Sequence, residues 1–136
     1  MSDCIFCKIV RGELPSYKVY EDDETFAFLD INPVNPGHVL VVPKKHAVDI
    51  FEIGNSEWSA VMNTVHTVAL ALEKSLAPTG INLAMNNRSG AGQVVFHAHV
   101  HIMPRFLDDG HELWKGKPYV EGEAARVAEK IRTSIG

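Results

Sequence analysis

The stretch Phe96-His97-Ala98-His99-Val100-His101-Ile102-Met103 alternates imidazole and apolar side chains with a period of two. On a β-strand that period sends His97, His99 and His101 to one face and Ala98, Val100 and Ile102 to the other. Successive rings on one strand face stand about 7 Å apart, and three titratable groups are costly to place in a core. The stretch therefore reads as a strand over residues 94–104 with one core face and one chemical face. A weakly specified exposed strand and a plain metal site are the competing readings of the same pattern.

The flanking sequence supplies a sheet for it. His38-Val39-Leu40-Val41-Val42 is β-branched and apolar on both faces except at His38, the pattern of a central strand. Residues 17–21 and 25–30 read as strands, and the alternation in the second puts Phe26, Phe28 and Asp30 on one face. The turn Asn32-Pro33-Val34-Asn35-Pro36-Gly37 separates that strand from the central one. A long helix runs from Asn55 or Ser56 as N-cap to about Leu76, with Trp58, Val61, Met62, Val65, Ala69, Leu72 and Leu76 at spacings of three and four, and should cover one sheet face. Pro78-Thr79-Gly80 ends it, and residues 81–86 form a strand before the polar loop Asn87-Arg88-Ser89-Gly90-Ala91-Gly92. A last helix near residues 121–134 carries the stripe Ala124, Val127, Ala128, Ile131 and Ile135. Strands joined by short turns with helices set aside indicate an α+β domain on an antiparallel sheet.

With 136 residues, 46% of them hydrophobic and 22% charged, the chain suits one globular domain and one site. Its net charge of -4 excludes a protein whose main task is gripping a nucleic acid backbone. Two cysteines, Cys4 and Cys7, are too few for a disulfide scaffold. No apolar run is long enough for a membrane span, and Met1-Ser2-Asp3-Cys4 lacks the features of a secretory signal, so the expected location is cytoplasmic.

The segment from His97 to Met103 reads His, apolar, His, apolar, His, apolar, apolar, and in this it resembles the histidine triad (HIT) family. Asp30-Ile31, Gly37-His38, Pro43-Lys44-Lys45-His46, Asn86 and Gly92-Gln93 also match, so the resemblance covers about residues 4–105. With Cys4-x-x-Cys7 at the start and Met103-Pro104-Arg105 after the triad, it is most similar to the small bacterial members of the Hint-like branch. The resemblance implies a HIT-like fold, with a five-stranded antiparallel sheet, a long helix packed on it and a C-terminal helix. It puts a HIT domain at residues 4–108 and a variable extension at 109–136, within the same compact unit. It also implies a homodimer, and an enzyme cleaving a purine nucleoside phosphoramidate or dinucleoside polyphosphate to a nucleoside monophosphate through a covalent nucleotidyl-histidine.

The residue chemistry suits that activity. A neutral imidazole is a competent nucleophile at cellular pH. By family correspondence His99 attacks the α-phosphorus, His101 serves the phosphoryl or leaving-group oxygen, His38 orients the rings and His97 positions its neighbour. Asp30 with Ile31 would take the ribose. Phe6, Ile9, Leu14, Phe28 and Ile31 would line an apolar base pocket, although core packing explains the same residues. The loop Ser89-Gly90-Ala91-Gly92-Gln93 could offer backbone N–H groups to a phosphate, and the resemblance puts Asn86, Gly92 and Gln93 at the substrate. Val94 stands where relatives often carry Ser or Thr, so one hydroxyl donor is missing.

Cys4-x-x-Cys7 admits a redox dithiol, half a zinc site or two buried thiols. The resemblance completes a Cys2His2 set with His46 and His97, implying a structural Zn2+ and chemistry left to His99. His66, His111, Lys44 and Lys45 read as solvated, and Trp58 as core. Trp114 and Tyr119 lie in a region that in relatives borders the site across a dimer interface. Two other functions fit the sequence: a slow or non-catalytic nucleotide-binding regulatory module, and a metallohydrolase using the triad as zinc ligands.

Overall fold

A computed structural model describes residues 3–136; Met1 and Ser2, on which part of the leader reading rests, lie outside the described residues. The element order is α1 (Ile5–Val10), β1 (Lys18–Glu21), β2 (Thr25–Leu29), β3 (Val39–Pro43), α2 (Asn55–Leu76), β4 (Gly80–Ala84), β5 (Val100–Arg105) and α3 (Glu123–Ser134). The strands form one antiparallel sheet in the order β1-β2-β3-β5-β4, with β3 at its centre as its two-faced apolar run requires.

Alternation along the strands gives the sheet two different faces. Ala27, Val39, Val41, Val100 and Ile102 point to one side and pack against Val61, Val65, Val68 and Leu72 of α2. Phe26, Phe28, Leu40 and Val42 point to the other, where Phe6 of the short helix α1 covers them. Because Val100 and Ile102 belong to the α2 side, His101 between them faces the α1 side, in register with Leu40 of β3.

α2 departs from its expected stripe in two places. Thr64 and Val68 are buried, whereas Leu76 is 43% exposed. The burial of Thr64 is tolerated because its hydroxyl meets that of Thr25 on β2 at 2.6 Å. Its N-cap is Gly54, with no side-chain cap, in place of Asn55 or Ser56. Trp58 is half-buried against the core.

β5 is shorter than the strand expected over residues 94–104. The ladder starts at Val100 because the Ala98 N–H donates to the Ala47 carbonyl, 2.7 Å away, so His97 and His99 precede the strand. α3 forms where its periodicity places it, but none of its residues is buried and Ile131 and Ile135 stay exposed. Within a single chain the apolar stripe of α3 is left uncovered. Among the described residues no helix is long and apolar enough to cross a membrane.

Candidate functional site

On the α1 side of the sheet lies a cavity of about 630 Å³, within the size range of small-molecule sites. Phe6, Ile9, Leu14, Phe28 and Ile31 all line it, as do Asp30, Asn86 and Gly92, and His99 and His101 form its polar end. Phe6 and Phe28 are also core residues, in edge-to-face contact with centroids 5.4 Å apart. They thus line the cavity and pack in the core at once.

The hydrogen bonds around the histidines fix which nitrogen of each ring carries the proton, since a carbonyl can only accept and a backbone N–H can only donate. His97 Nε2 donates to the Pro43 carbonyl at 2.7 Å, which leaves Nδ1 with the lone pair. His99 Nδ1 donates to the His97 carbonyl at 2.7 Å, which leaves its Nε2 bare in the neutral ring. The Val34 N–H donates to His38 Nδ1 at 3.0 Å, so the His38 proton sits on Nε2, 2.9 Å from His101 Nδ1. His101 must accept there and carries its own proton on Nε2. The row thus ends in a bare nitrogen on His99 beside an N–H donor on His101, with ring centroids 5.0 Å apart.

Gly37 makes the approach to His38 possible. Its φ of +95° is one that L side chains rarely adopt, and a Cβ there would meet Leu76 Cδ1 at 2.5 Å. Asp30, at the end of β2, accepts from the Asn32 N–H through Oδ1 at 2.8 Å, and its Oδ2 lies 3.6 Å from His38 Nε2. Asp30, His38 and His101 are close enough to invite a metal. The proton order argues against one, because a cation on His38 Nε2 would displace its proton to Nδ1, facing the Val34 N–H.

Burial pushes His38, His97, His99 and His101 below the ordinary imidazole range, His97 and His101 to about 4. For His101, burial is reinforced by the neighbouring His99 and His38 and opposed by Asp30. In the unfolded chain such a ring takes up its proton near pH 6.5. Stability is therefore fully present above that pH and is lost as pH falls from 6.5 toward 4, at about 1.4 kcal/mol per pH unit for each such ring. Urea unfolding should give a flat midpoint above pH 7 and a lower one at pH 5. An equal or higher midpoint at pH 5 would contradict the neutral, buried state of these rings.

The β4–β5 loop differs from its expected use. The Ala91, Gly92 and Gln93 amides donate to the carbonyls of Arg88, Ser89 and Arg88 respectively, so these three are not an anion nest. Gln93 is buried, its Oε1 accepting from the Arg88 N–H at 2.7 Å and its Nε2 donating to the Val48 and Val95 carbonyls. Through these contacts it shapes the loop, in which Arg88 has a φ of +74°. Gly92 itself needs its φ of +95°, and a Cβ would crowd Asn86 Nδ2 at 3.4 Å. Val94 lines the cavity and is 83% exposed.

The cysteines converge on the back of the same histidine segment. Cys4 is the N-cap of α1 and Cys7 lies in its first turn. Cys4 Sγ and Cys7 Sγ each lie 3.5 Å from His97 Nδ1, and Cys7 Sγ lies 3.4 Å from His46 Nδ1. All four donor atoms fall within 4.8 Å of one another. In a tetrahedral zinc site with Zn–S near 2.3 Å and Zn–N near 2.05 Å, each sulfur–nitrogen edge is about 3.5 Å. The proton of His97 on Nε2 leaves Nδ1 facing the sulfurs, so the four residues could hold a metal ion. His111, expected to be solvated, donates through Nε2 to the Val34 carbonyl at 2.8 Å. Its position in an acidic, glycine-bearing loop gave no sign of that contact.

Known proteins are similar to this chain in sequence and fold. A family model described as the HIT domain matches residues 11–108. The chain is 44% identical over 138 residues to the Arabidopsis thaliana protein named adenylylsulfatase HINT3, spanning 98% of this chain and 70% of that one. It is 40% identical over 121 residues to the Candida albicans protein named adenosine 5'-monophosphoramidase HNT1, spanning 86% and 79%. A zinc-bound histidine triad family protein from Mycobacterium smegmatis superposes with a TM-score of 0.78 at 33% identity, covering 99% of each chain. With its three alternating histidines at one end of the cavity, a five-stranded antiparallel sheet and a family model that matches residues 11–108, the chain belongs to the HIT family.

Proposed function

We propose that this protein is a nucleotide hydrolase or transferase that cleaves a purine nucleoside phosphoramidate or dinucleoside polyphosphate and releases a nucleoside monophosphate. The observation that carries the reading is the bare His99 Nε2 beside the His101 N–H at the polar end of an apolar cavity. The base lies between Phe6, Phe28 and their apolar neighbours, and Asp30 Oδ2 accepts from the ribose hydroxyls. His99 Nε2 attacks the α-phosphorus as the bond to the leaving group breaks. His101 Nε2–H donates to the departing atom, the nitrogen of a phosphoramidate or the bridging oxygen of a polyphosphate, or to a phosphoryl oxygen, and His38 keeps His101 in the tautomer that makes this possible. Water then displaces the histidine nitrogen from phosphorus, restoring the free ring.

The substrate class also draws on the names of the Arabidopsis and Candida relatives, an adenylylsulfatase and a monophosphoramidase. Adenosine phosphoramidate, diadenosine tetraphosphate and adenylyl sulfate should be compared at equal concentration, with acid-free quenching and intact-mass measurement during turnover. The expected result is turnover of at least one and a transient species heavier by one nucleoside monophosphate. Binding with neither turnover nor adduct would instead make the protein a nucleotide-binding regulatory module.

Zinc, when bound by Cys4, Cys7, His46 and His97, supplies a four-way cross-link between α1, the loop after β3 and the histidine segment, with no open position for substrate. The homodimer belongs to the same reading. The outer edge of β4 is unpaired in the sheet order, Leu83 on it is 51% exposed, and Leu70 of α2 and the α3 stripe also face solvent. Sedimentation at micromolar concentration should give a two-chain species, and a single-chain species would remove this part.

A further inference from the structure

The His38 tautomer depends on the Val34 N–H, and Val34 is held from a segment that touches neither the cavity nor the cysteine cluster. Its turn contains Pro33 and Pro36, which have no N–H to donate, so its geometry relies on contacts from elsewhere. Three come from the end of β5 and the chain just beyond it. His111 Nε2 donates to the Val34 carbonyl at 2.8 Å, and Asn35 Nδ2 donates to Asp109 Oδ2 at 2.9 Å and to the Pro104 carbonyl at 3.0 Å.

Asp109 is itself fixed. Arg105 reaches it through Nε at 2.8 Å and Nη2 at 3.0 Å, and the Phe106 and His111 N–H groups donate to it at 3.2 and 3.0 Å. Arg105 also donates to Asn82 Oδ1 on β4 and to the His111 carbonyl, both at 2.9 Å. The strand end, the loop after it and the turn before β3 thus form one hydrogen-bonded block, and Val34 is where it meets the histidine row.

We propose that His111 and Asp109 are positioning residues that hold the Val34 peptide against His38 Nδ1 and so set the proton order of the His38–His101 pair. With Val34 in place, His38 Nδ1 faces a donor and its proton stays on Nε2, toward His101. If Val34 moves away, either His38 nitrogen can carry the proton. His101 Nδ1 then loses its fixed donor and its Nε2–H is no longer guaranteed at the reacting centre. The kinetic consequence rests on the role proposed for His101, whereas the tautomer consequence does not.

The test uses the zinc-loaded full chain labelled with nitrogen-15 in its histidines, in three forms: wild type, His111→Ala and His111→Gln. His111 is exposed, so both variants should fold, and glutamine places an N–H donor at a similar reach. Wild-type ring spectra should show His38 with bare Nδ1 and protonated Nε2. In His111→Ala the two His38 nitrogen shifts should move toward each other, and kcat on adenosine phosphoramidate should fall about fivefold with KM within about twofold, the effect of losing one hydrogen bond. His111→Gln should restore both. Unchanged His38 signals in His111→Ala would overturn the proposal. Shifted signals with unchanged kcat would leave the latch standing and overturn the role of His101. A wild-type His38 protonated on Nδ1 would overturn the proton order itself.

Discussion

His99→Ala should lower turnover by roughly 10⁴-fold or more and abolish the nucleotide adduct in intact mass, while zinc content and the nucleotide-binding cavity are retained. The expectation follows from the uniqueness of one nitrogen. His97 Nδ1 faces two sulfurs, His38 Nδ1 faces the Val34 N–H and His101 Nδ1 faces His38. That leaves His99 Nε2 as the bare imidazole nitrogen of the row, and no neighbour can replace it without reversing the proton order. His101→Ala should cost less, about 10²–10³-fold in kcat, because it removes a stabilising donor and leaves the nucleophile. The His99 ring is buried against Phe6, with centroids 5.1 Å apart and planes at 89°. Its truncation leaves a small void and an unpaired His97 carbonyl, costing about 1–3 kcal/mol, so loss of activity should accompany a folded protein. Adduct formation by His99→Ala, or only a tenfold loss, would remove His99 as nucleophile.

The sequence was legible where one residue's partner lies on its own element. The period-two pattern placed the faces of β2, β3 and β5 correctly, and with them the opposition of His101 to Val100 and Ile102. The sequence was not legible where the partner comes from a distant loop. Residues 97–99 alternate like a strand, but Ala98 bonds to Ala47 and β5 begins only at Val100. Gln93 gave no sign in the sequence that its amide bonds to the backbone of Arg88, Val48 and Val95. Thr64 interrupts an apolar stripe and is buried because Thr25 meets it. His111 lies in a loop whose composition says solvent, and its ring bonds to a carbonyl 77 residues away in the chain.

A metal ion held by Cys4, Cys7, His46 and His97 would govern the second large effect, because apart from the packing of Phe6 on the sheet it is what would tie α1 to the histidine segment. The helix is six residues long, too short to be stable alone, and yet Phe6 and Ile9 on it form one wall of the cavity. Cys4 and Cys7 fasten that helix to His46 and His97, and Phe6 carries the connection to the nucleophile, with its ring 6.0 Å from His97 and 5.1 Å from His99. Removing the ion by chelation, or by Cys7→Ala, should therefore release α1 and open the nucleotide pocket. Losing the burial of one large apolar side chain against the base is worth about 1.5–3 kcal/mol, so KM should rise by roughly tenfold or more. The lost cross-link should lower Tm by about 10 °C, the equivalent of about 3 kcal/mol in a domain of this size. The fall in kcat at saturating substrate should be the smaller change, since His99, His101 and His38 keep their own hydrogen bonds. Zinc content by elemental analysis, Tm by calorimetry and the kcat and KM pair separate two roles for the ion. A metal at the reacting centre would abolish kcat and leave Tm and nucleotide affinity nearly unchanged. That outcome would move the chemistry from the imidazole of His99 to the ion and overturn the structural role proposed for it.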